Sequence, residues 1–364
     1  MFDLDAGDEF DLVVQTARQF ADDALVPAMR DAERAREPDS GLRATWNEIG
    51  LAALELPEAH DGAELGCLAR ALVNEELAAG DVGATLALDT FGPAATALLE
   101  VGGNDALAAG LAACDRGASR LLLISGDDAD CGIENDGGGE RLSITAPYVH
   151  AEAAGALVVL LDDRALLVES GFDFEPVRGA GLRASGGASL RADAAPIAGN
   201  WENAEGASRA RARARLYYAS LLLGVMRSAC DFSAEYSQQR EAFGRPIGHH
   251  QALAFMITDM RMALEAARLV VHEAAWRVDR GLPCASEAAS AFAECIEVSR
   301  MVGPNGVQIL GGHGFMADYP VEKHMREARA LGLLCGGFDA AIDEAGRTLV
   351  EQTTPLALGA SGAL

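Results

Sequence analysis

The chain has 364 residues, with 29 basic against 55 acidic side chains, a formal net charge of −26 and an isoelectric point near 4.5. A field of that sign repels phosphates and argues against nucleic acid or an anionic membrane as a partner. Half of the residues are hydrophobic and 23% charged, so the chain is globular, and its length calls for two or three packed units.

The N-terminus, Met1 to Asp11, is acidic and lacks the basic and apolar regions of a signal peptide. No stretch approaches the roughly 18 uninterrupted apolar residues of a membrane span. Residues 1–117 read as a helical domain: Phe10, Val13, Val14, Ala17 and Phe20–Ala21 recur at helical spacing, as do Leu68, Leu72, Val73 and Leu77. Pro57, Gly62 and Gly66 punctuate the loop between them. Residues 118–200 carry short apolar runs, Leu121–Ile124, Leu157–Leu161 and Ala165–Val168, separated by turns such as Asp136–Gly139, which predicts a small β domain. Residues 201–352 return to long helices. Leu253, Met256, Ile257, Met260, Leu264, Ala267, Val270, Val271 and Ala274 form a stripe expected to be core in an antiparallel bundle. The tail, 353–364, is expected to fray.

Seven cysteines without CxxC spacing favour reduced thiols and a cytoplasmic address, and no metal site is expected. Lys323 is the only lysine, so any lysine chemistry would have to use it.

Three clusters could carry chemistry. The first is Arg209, Arg211, Arg213 and Arg215, in a stretch (201–240) with six arginines against four carboxylates. The first three are read as a solvated helix start, and Arg215, which runs into Leu216–Tyr218, as buried or partnered. The second is Arg240-Glu-Ala-Phe243-Gly244-Arg-Pro246-Ile247. An arginine beside an aromatic and a tight turn suits a phosphate next to a flat ring, or equally a plain interhelical turn. The third is Gln308-Ile-Leu-Gly311-Gly312-His313-Gly314, followed by Asp318-Tyr-Pro320-Val-Glu-Lys323, where glycines let a ligand approach the backbone. His313 alone is read as packed or solvent-exposed.

In order and spacing the second and third clusters resemble the acyl-CoA dehydrogenases, flavoenzymes that oxidise acyl-CoA thioesters to enoyl-CoAs. The likeness runs without a gap from about Arg215 to Arg329, through RxxFGxPI, Gln251, QILGGHGF and DYPVEKHMREA. More loosely it takes in Trp46-Asn-Glu-Ile-Gly, Leu56-Pro57-Glu58 and Gly181-Leu-Arg183-Ala-Ser185. It implies an α+β multidomain fold: a helical N-terminal domain, a small β-barrel-like middle domain and a C-terminal four-helix bundle. It also implies FAD, an acyl-CoA substrate and an electron-transfer acceptor.

In such enzymes a glutamate removes the α-proton, flavin N5 takes hydride from the β-carbon, and hydrogen bonds to the thioester carbonyl acidify the α-position. The two positions at which the family carries that glutamate fall on Cys335 and Ala214. A thiol titrating near ~8.5 needs a cation to serve as a base, and Cys335 is read as a buried structural thiol. Asp339 and Glu344 lie on the wrong helical turns to substitute simply. The strand pair that presents Thr and Ser to the flavin ring reads Ser125-Gly-Asp-Asp128 and Tyr148-Val-His150, and Asp127, Asp128 and Asp130 would repel an anionic cofactor. By contrast Arg240, Phe243, Gln308, Gly311 and Gly312 match the residues that contact the FAD of a neighbouring subunit. With Gln251 and Arg215, which would support the site near the flavin, they form the expected cofactor-binding set.

The pattern resembles the divergent, base-less subunit of α2β2 acyl-CoA dehydrogenases acting on bulky sterol side-chain thioesters. That implies a homologous partner subunit that carries the glutamate. Two alternatives stand beside it: a homomeric flavoprotein of the same fold with base-independent, desulfinase-like chemistry, and a non-catalytic scaffold paralogue.

Overall fold

The computed structural model describes residues 10–351 apart from Ala118, Asp136 and Gly138, so most of the N-terminal segment and the tail expected to fray lie outside the described residues. Helix α1 (Asp11–Phe20) runs through a π turn, Ala21–Leu25, into α2 (Val26–Ala35). Ala17, Phe20 and Leu25 face a core shared with Trp46 of α3 (Ser40–Ile49), whose ring lies 5.8 Å from that of Phe20. The Asp39 carboxylate starts α3 by accepting the Leu42 N–H at 2.8 Å, and Gly50, at φ 69°, ends it. Helices α4 (Cys67–Leu88) and α5 (Gly92–Ala113) complete this helical layer. The free N–H groups of Cys67 and Leu68, which open α4, donate to the Asp279 carboxylate at 2.6 and 3.0 Å, so a negative charge sits on the helix's positive end.

The middle of the chain forms two four-stranded sheets. One has the order β1 (Leu121–Ser125), β4 (Ala156–Leu160), β5 (Arg164–Val168), β8 (Gly199–Glu202), with β1 and β4 parallel. The other is antiparallel, in the order β2 (Asp130–Asn135), β3 (Glu140–Val149), β7 (Ala188–Pro196), β6 (Phe172–Pro176). Leu122, Ile124, Leu157, Val159 and Leu166 of the first meet Leu142, Ile144 and Leu190 of the second in one apolar core. The predicted runs at 121, 157 and 165 are all strands, and the predicted turn at 136–139 lies between β2 and β3, with 136 and 138 outside the described residues.

The C-terminal layer is built on α6 (Ala204–Gln239), capped at its start by the Asn203 side chain, which accepts the Gly206 N–H at 2.9 Å. After a short hairpin, β9 (Glu241–Ala242) and β10 (Arg245–Pro246), come α7 (Gln251–Asp279), α8 (Ala285–Leu310), α9 (Val321–Leu331) and α10 (Gly337–Glu351). Helix α6 packs against α4 and α5 as well as α7, α8 and α9, and α8 packs against α10, so one continuous core joins the helical layers.

Two expectations need correction. Arg209, Arg211 and Arg213 are not a solvated helix start. Arg209 and Arg213 bind Glu100 at 2.9 and 3.0 Å, Arg213 also binds Glu55 at 2.6 Å, and Arg211 binds Asp162 at 2.7 Å. The alternation that would spread charge around a free helix here lets successive arginines reach carboxylates on different neighbours. The α7 stripe is only partly core. Met260, Leu264, Ala267, Val271 and Ala274 are buried, Leu253, Met256 and Ile257 are half-buried, and Val270 is exposed. Phe255, Met262 and Leu269, seven residues apart, are exposed along the same helix.

Candidate functional site

The second and third clusters are brought together at the C-terminal end of α6. Arg240 N donates to Tyr236 O at 2.9 Å and ends the helix. One turn back, the Tyr236 hydroxyl hydrogen-bonds His313 Nδ1 at 2.7 Å, and the His313 ring stacks on Tyr319 with centroids 4.9 Å apart. Tyr236 also meets Tyr319 edge to face at 6.0 Å. These rings lock the glycine turn onto the helix end, so His313 is a packed residue with a defined partner.

The register Arg245–Ala242 leaves a two-residue turn, Phe243–Gly244, with φ of 56° and 80°. Both turn residues are left-handed, as in a type I′ hairpin, whose favoured sequence is Asn-Gly. A bulky residue in this conformation carries backbone strain. Phe243 is nevertheless 96% exposed, its ring meeting that of His250 in a T-shaped contact at 5.9 Å. Arg240, Gln251 and Gln308 are exposed too, and the Arg240 guanidinium has no ion pair among the described residues. Gly311, at φ 57°, and Gly312 open onto free space, where a ligand could meet backbone. This outward-facing group could hold a phosphate and a flat ring.

Arg215 is not part of that group. It lies 25 residues earlier on α6, roughly 37 Å away along the axis. It is 1% exposed; its Nη1 pairs with Glu344 of α10, and Asp127 lies 4.0 Å from Nη2. Beside it, Cys335, Gly336 and Gly337 have φ of 55°, 79° and 62°. Successive left-handed residues of this kind aim their N–H groups into a concavity that suits an anion. The Asp128 carboxylate fills it, accepting from Cys335 N at 2.8 Å and Gly336 N at 2.7 Å.

Burial pushes the Asp128 carboxyl up to about 6 against these two hydrogen bonds, and burial pushes the Cys335 thiol up to about 12. The thiol is buried and protonated at neutral pH, as the sequence reading expected of a structural cysteine. His150 meets Tyr218 edge to face at 6.1 Å, and burial lowers its ring to about 3, so it is neutral. Asp127 and Asp128 therefore do more than repel a cofactor: one neighbours Arg215 and the other occupies the nest at the expected base position. Glu344 is the residue that sequence reasoning undervalued. Buried Ala341 and Ala345 mark the inward face of α10, and Glu344 lies on it at helical spacing, a signal visible in the sequence. Lys323, fully buried, pairs with Asp81 at 2.8 Å and with Glu327, a structural role.

Comparison with known proteins agrees with this architecture. The family model of the acyl-CoA dehydrogenase N-terminal domain matches residues 7–110, and that of the C-terminal domain matches residues 206–348. A Mycobacterium leprae protein named "Probable acyl-CoA dehydrogenase fadE25" is 30% identical over 86% of this chain and 88% of its own length. The chain also resembles a structure of the ChsE4-ChsE5 complex from Mycobacterium tuberculosis (22% identity, TM-score 0.83, covering 97% of this chain and 100% of that one). A second structural relative is the Tcur3481-Tcur3483 steroid enzyme (25% identity, TM-score 0.80, covering 95% and 98%). The chain belongs to the acyl-CoA dehydrogenases, a family of FAD-dependent oxidoreductases. Among the described residues no single helix is long and apolar enough to cross a membrane.

Proposed function

We propose that this chain is the base-less subunit of a heteromeric acyl-CoA dehydrogenase, which helps bind FAD in a homologous partner that carries the catalytic glutamate. The observation that carries the reading is Phe243, held fully exposed in a strained left-handed turn next to Arg240, which has no ion pair among the described residues. Strain is retained where the surroundings enforce it, commonly at ligand contacts. Gln308, Gly311, Gly312 and Gln251 offer side-chain and backbone polar groups on either side. When bound, FAD supplies the acceptor for the β-hydride of the thioester; Arg240 would engage its phosphates and Phe243 would pack on a flat ring.

This chain's own interior does not fit a flavin ring and a thioester. Asp128 fills the nest at residues 335–337, Arg215 is bound to Glu344, and Tyr218 packs edge to face on His150 of the strand that would face the ring. Arg215 then acts as a structural residue rather than a cofactor contact. The exposed row Phe255, Met262 and Leu269 on α7 suits burial against another subunit. The ChsE4-ChsE5 complex and the Tcur3481-Tcur3483 steroid enzyme supply the analogy for a two-chain assembly and a steroid-type substrate, which we read as a bulky sterol side-chain thioester. We place the heterotetramer in the cytoplasm, with its cysteines reduced, delivering electrons to a separate acceptor; all seven cysteines are free.

Purification of the chain alone and together with its glutamate-bearing partner tests the reading. The lone chain is expected to be colourless and inactive, and the pair to hold FAD and oxidise an acyl-CoA. A lone chain with stoichiometric FAD and dehydrogenase activity would refute it. FAD without that activity would favour the homomeric, base-independent reading. Flavin content unchanged by Arg240→Ala in the pair would favour the scaffold.

A further inference from the structure

A cavity of about 630 Å³ opens where the α2–α3 connection meets the start of β1 and the segment after β3. That volume is within the usual range for small-molecule sites. Its walls include Arg43 of α3 and Arg120, with the hydroxyl-bearing residues Thr90 and Ser119 beside them. Neither arginine forms an ion pair among the described residues. Arg120 Nη1 donates to His150 O at 2.8 Å, its Nη2 donates to Leu86 O, and Arg43 Nη1 reaches Ala87 O at 3.4 Å. Two guanidinium groups carry ten N–H donors, so most remain uncommitted to protein.

The carboxylates nearby are engaged by other groups, although Asp89 still attracts Arg120 through the wall. Glu152 is held by Arg36, whose Nε donates to it at 2.6 Å. Glu37 is exposed at the rim. Asp89, behind the wall, is held by the Tyr217 hydroxyl at 2.8 Å, by Gly92 N at 2.9 Å and by Arg70 at 3.6 Å. Burial lowers Arg120 to about 10, the fields of Tyr217 and Asp89 raise it and repulsion from Arg43 lowers it, and Arg120 remains protonated at neutral pH. Two like charges that disfavour each other at one cavity, inside a chain of net charge −26, are stabilised by an anion between them.

We propose that Arg43 and Arg120 form a binding site for a small oxyanion, the carboxylate or phosphate group of a metabolite, distinct from the flavin contacts at the end of α6. The Tyr218–His150 pair stands between Arg120 and the filled nest at 335–337. His150 gives its carbonyl to Arg120 and its ring to Tyr218, so occupancy bears directly on the wall of the interior.

The test uses the lone full-length chain, and its outcome is separate from whether a partner's flavin is bound. Thermal unfolding is followed in inorganic phosphate, in glutarate and in sodium chloride at equal ionic strength, with wild type, Arg43→Gln and Arg120→Gln. At least one oxyanion at 10 mM is expected to raise the wild-type Tm by about 2 °C or more over chloride, saturably. That increment is expected to vanish in Arg43→Gln, which removes one guanidinium and loses only the long 3.4 Å contact to Ala87 O, and in Arg120→Gln if it folds. A response to phosphate alone assigns a phosphate ligand, and one to glutarate alone a carboxylate. Equal shifts in all three salts, or an increment that survives in Arg43→Gln, would overturn the site.

Discussion

Two arginines on one helix, Arg215 and Arg240, have opposite surroundings. Arg215 is buried and answered within the chain by Glu344, with Asp127 close by. Arg240 is exposed and has no ion pair among the described residues, next to a phenylalanine held outward against its backbone preference. In a chain with almost twice as many acidic as basic groups, a guanidinium easily finds a carboxylate, so one left without is informative. The first kind of arginine reports on folding and the second on binding. Arg43 and Arg120 belong with the second kind, although they line a cavity rather than the outer face.

The sharpest test of this division is Arg215→Ala. If the residue is structural, its removal takes from Glu344, Asp127 and Asp128 the guanidinium each of them neighbours, and stability falls by about 3–5 kcal/mol, read from the denaturant midpoint. A midpoint unchanged from wild type would mean that Arg215 is held for a ligand instead. Next in size is the pH response of the filled nest. The folded-state pKa of Asp128, about 6, lies above the ordinary ~3.9 of an unfolded aspartate, so between these values the folded chain keeps a proton that the unfolded chain has released. Its contribution to stability is fully present below about pH 4, is lost as pH rises to 6, and is constant beyond; the span is about 2–3 kcal/mol. Subtracting the profile of Asp128→Asn from that of wild type isolates this slope whatever the absolute stability of the variant. A flat difference between pH 4 and 6 would show that the carboxylate is well solvated and the interior open.

The outer end of α6 should behave in the reverse way. Arg240→Ala is expected to leave the denaturant midpoint within about 0.5 kcal/mol of wild type. Losing one charge-assisted contact should weaken FAD retention in the heteromer by roughly tenfold or more, measured by flavin titration after gel filtration.

How much of this could be read from the sequence depends on the range of the interaction. The strands at 121, 157 and 165 and the helices α6 to α8 follow from periodicity and turn residues within a dozen positions. The turn at Phe243–Gly244 and the turn at Gly311 were legible for the same reason, as local motifs, whereas the short strands that make the first a hairpin were not. What escaped is long-range: Arg213 meets Glu55 across 158 residues, Arg215 meets Glu344 across 129, and Asp128 meets Cys335 across 207. No local pattern signals such partners. The same arginine-alanine alternation is compatible with a solvated face or with the four ion pairs to Glu55, Glu100 and Asp162 until the packing around α6 is known. The filled nest was hidden because an aspartate beside a glycine turn reads as loop chemistry until the segment around residue 335 is placed next to it.

The smallest effect separates the two ends of α6 most cleanly because it has the opposite sign. Phe243→Asn keeps the two-residue turn and places in the left-handed position the residue type that tolerates it best. Since the phenyl ring is 96% exposed in the lone chain, little packing is lost. The variant is expected to be about 1 kcal/mol more stable than wild type, seen as a higher denaturant midpoint with an unchanged slope. In the heteromer the same change removes the surface against which a flat ring would rest, so flavin retention should fall while the isolated subunit gains stability. A residue kept only for folding cannot produce that pairing of results. If Phe243→Asn stabilises the chain and leaves flavin retention intact, the strain at Phe243 serves something other than the cofactor, and Arg240 alone would have to carry the flavin contact.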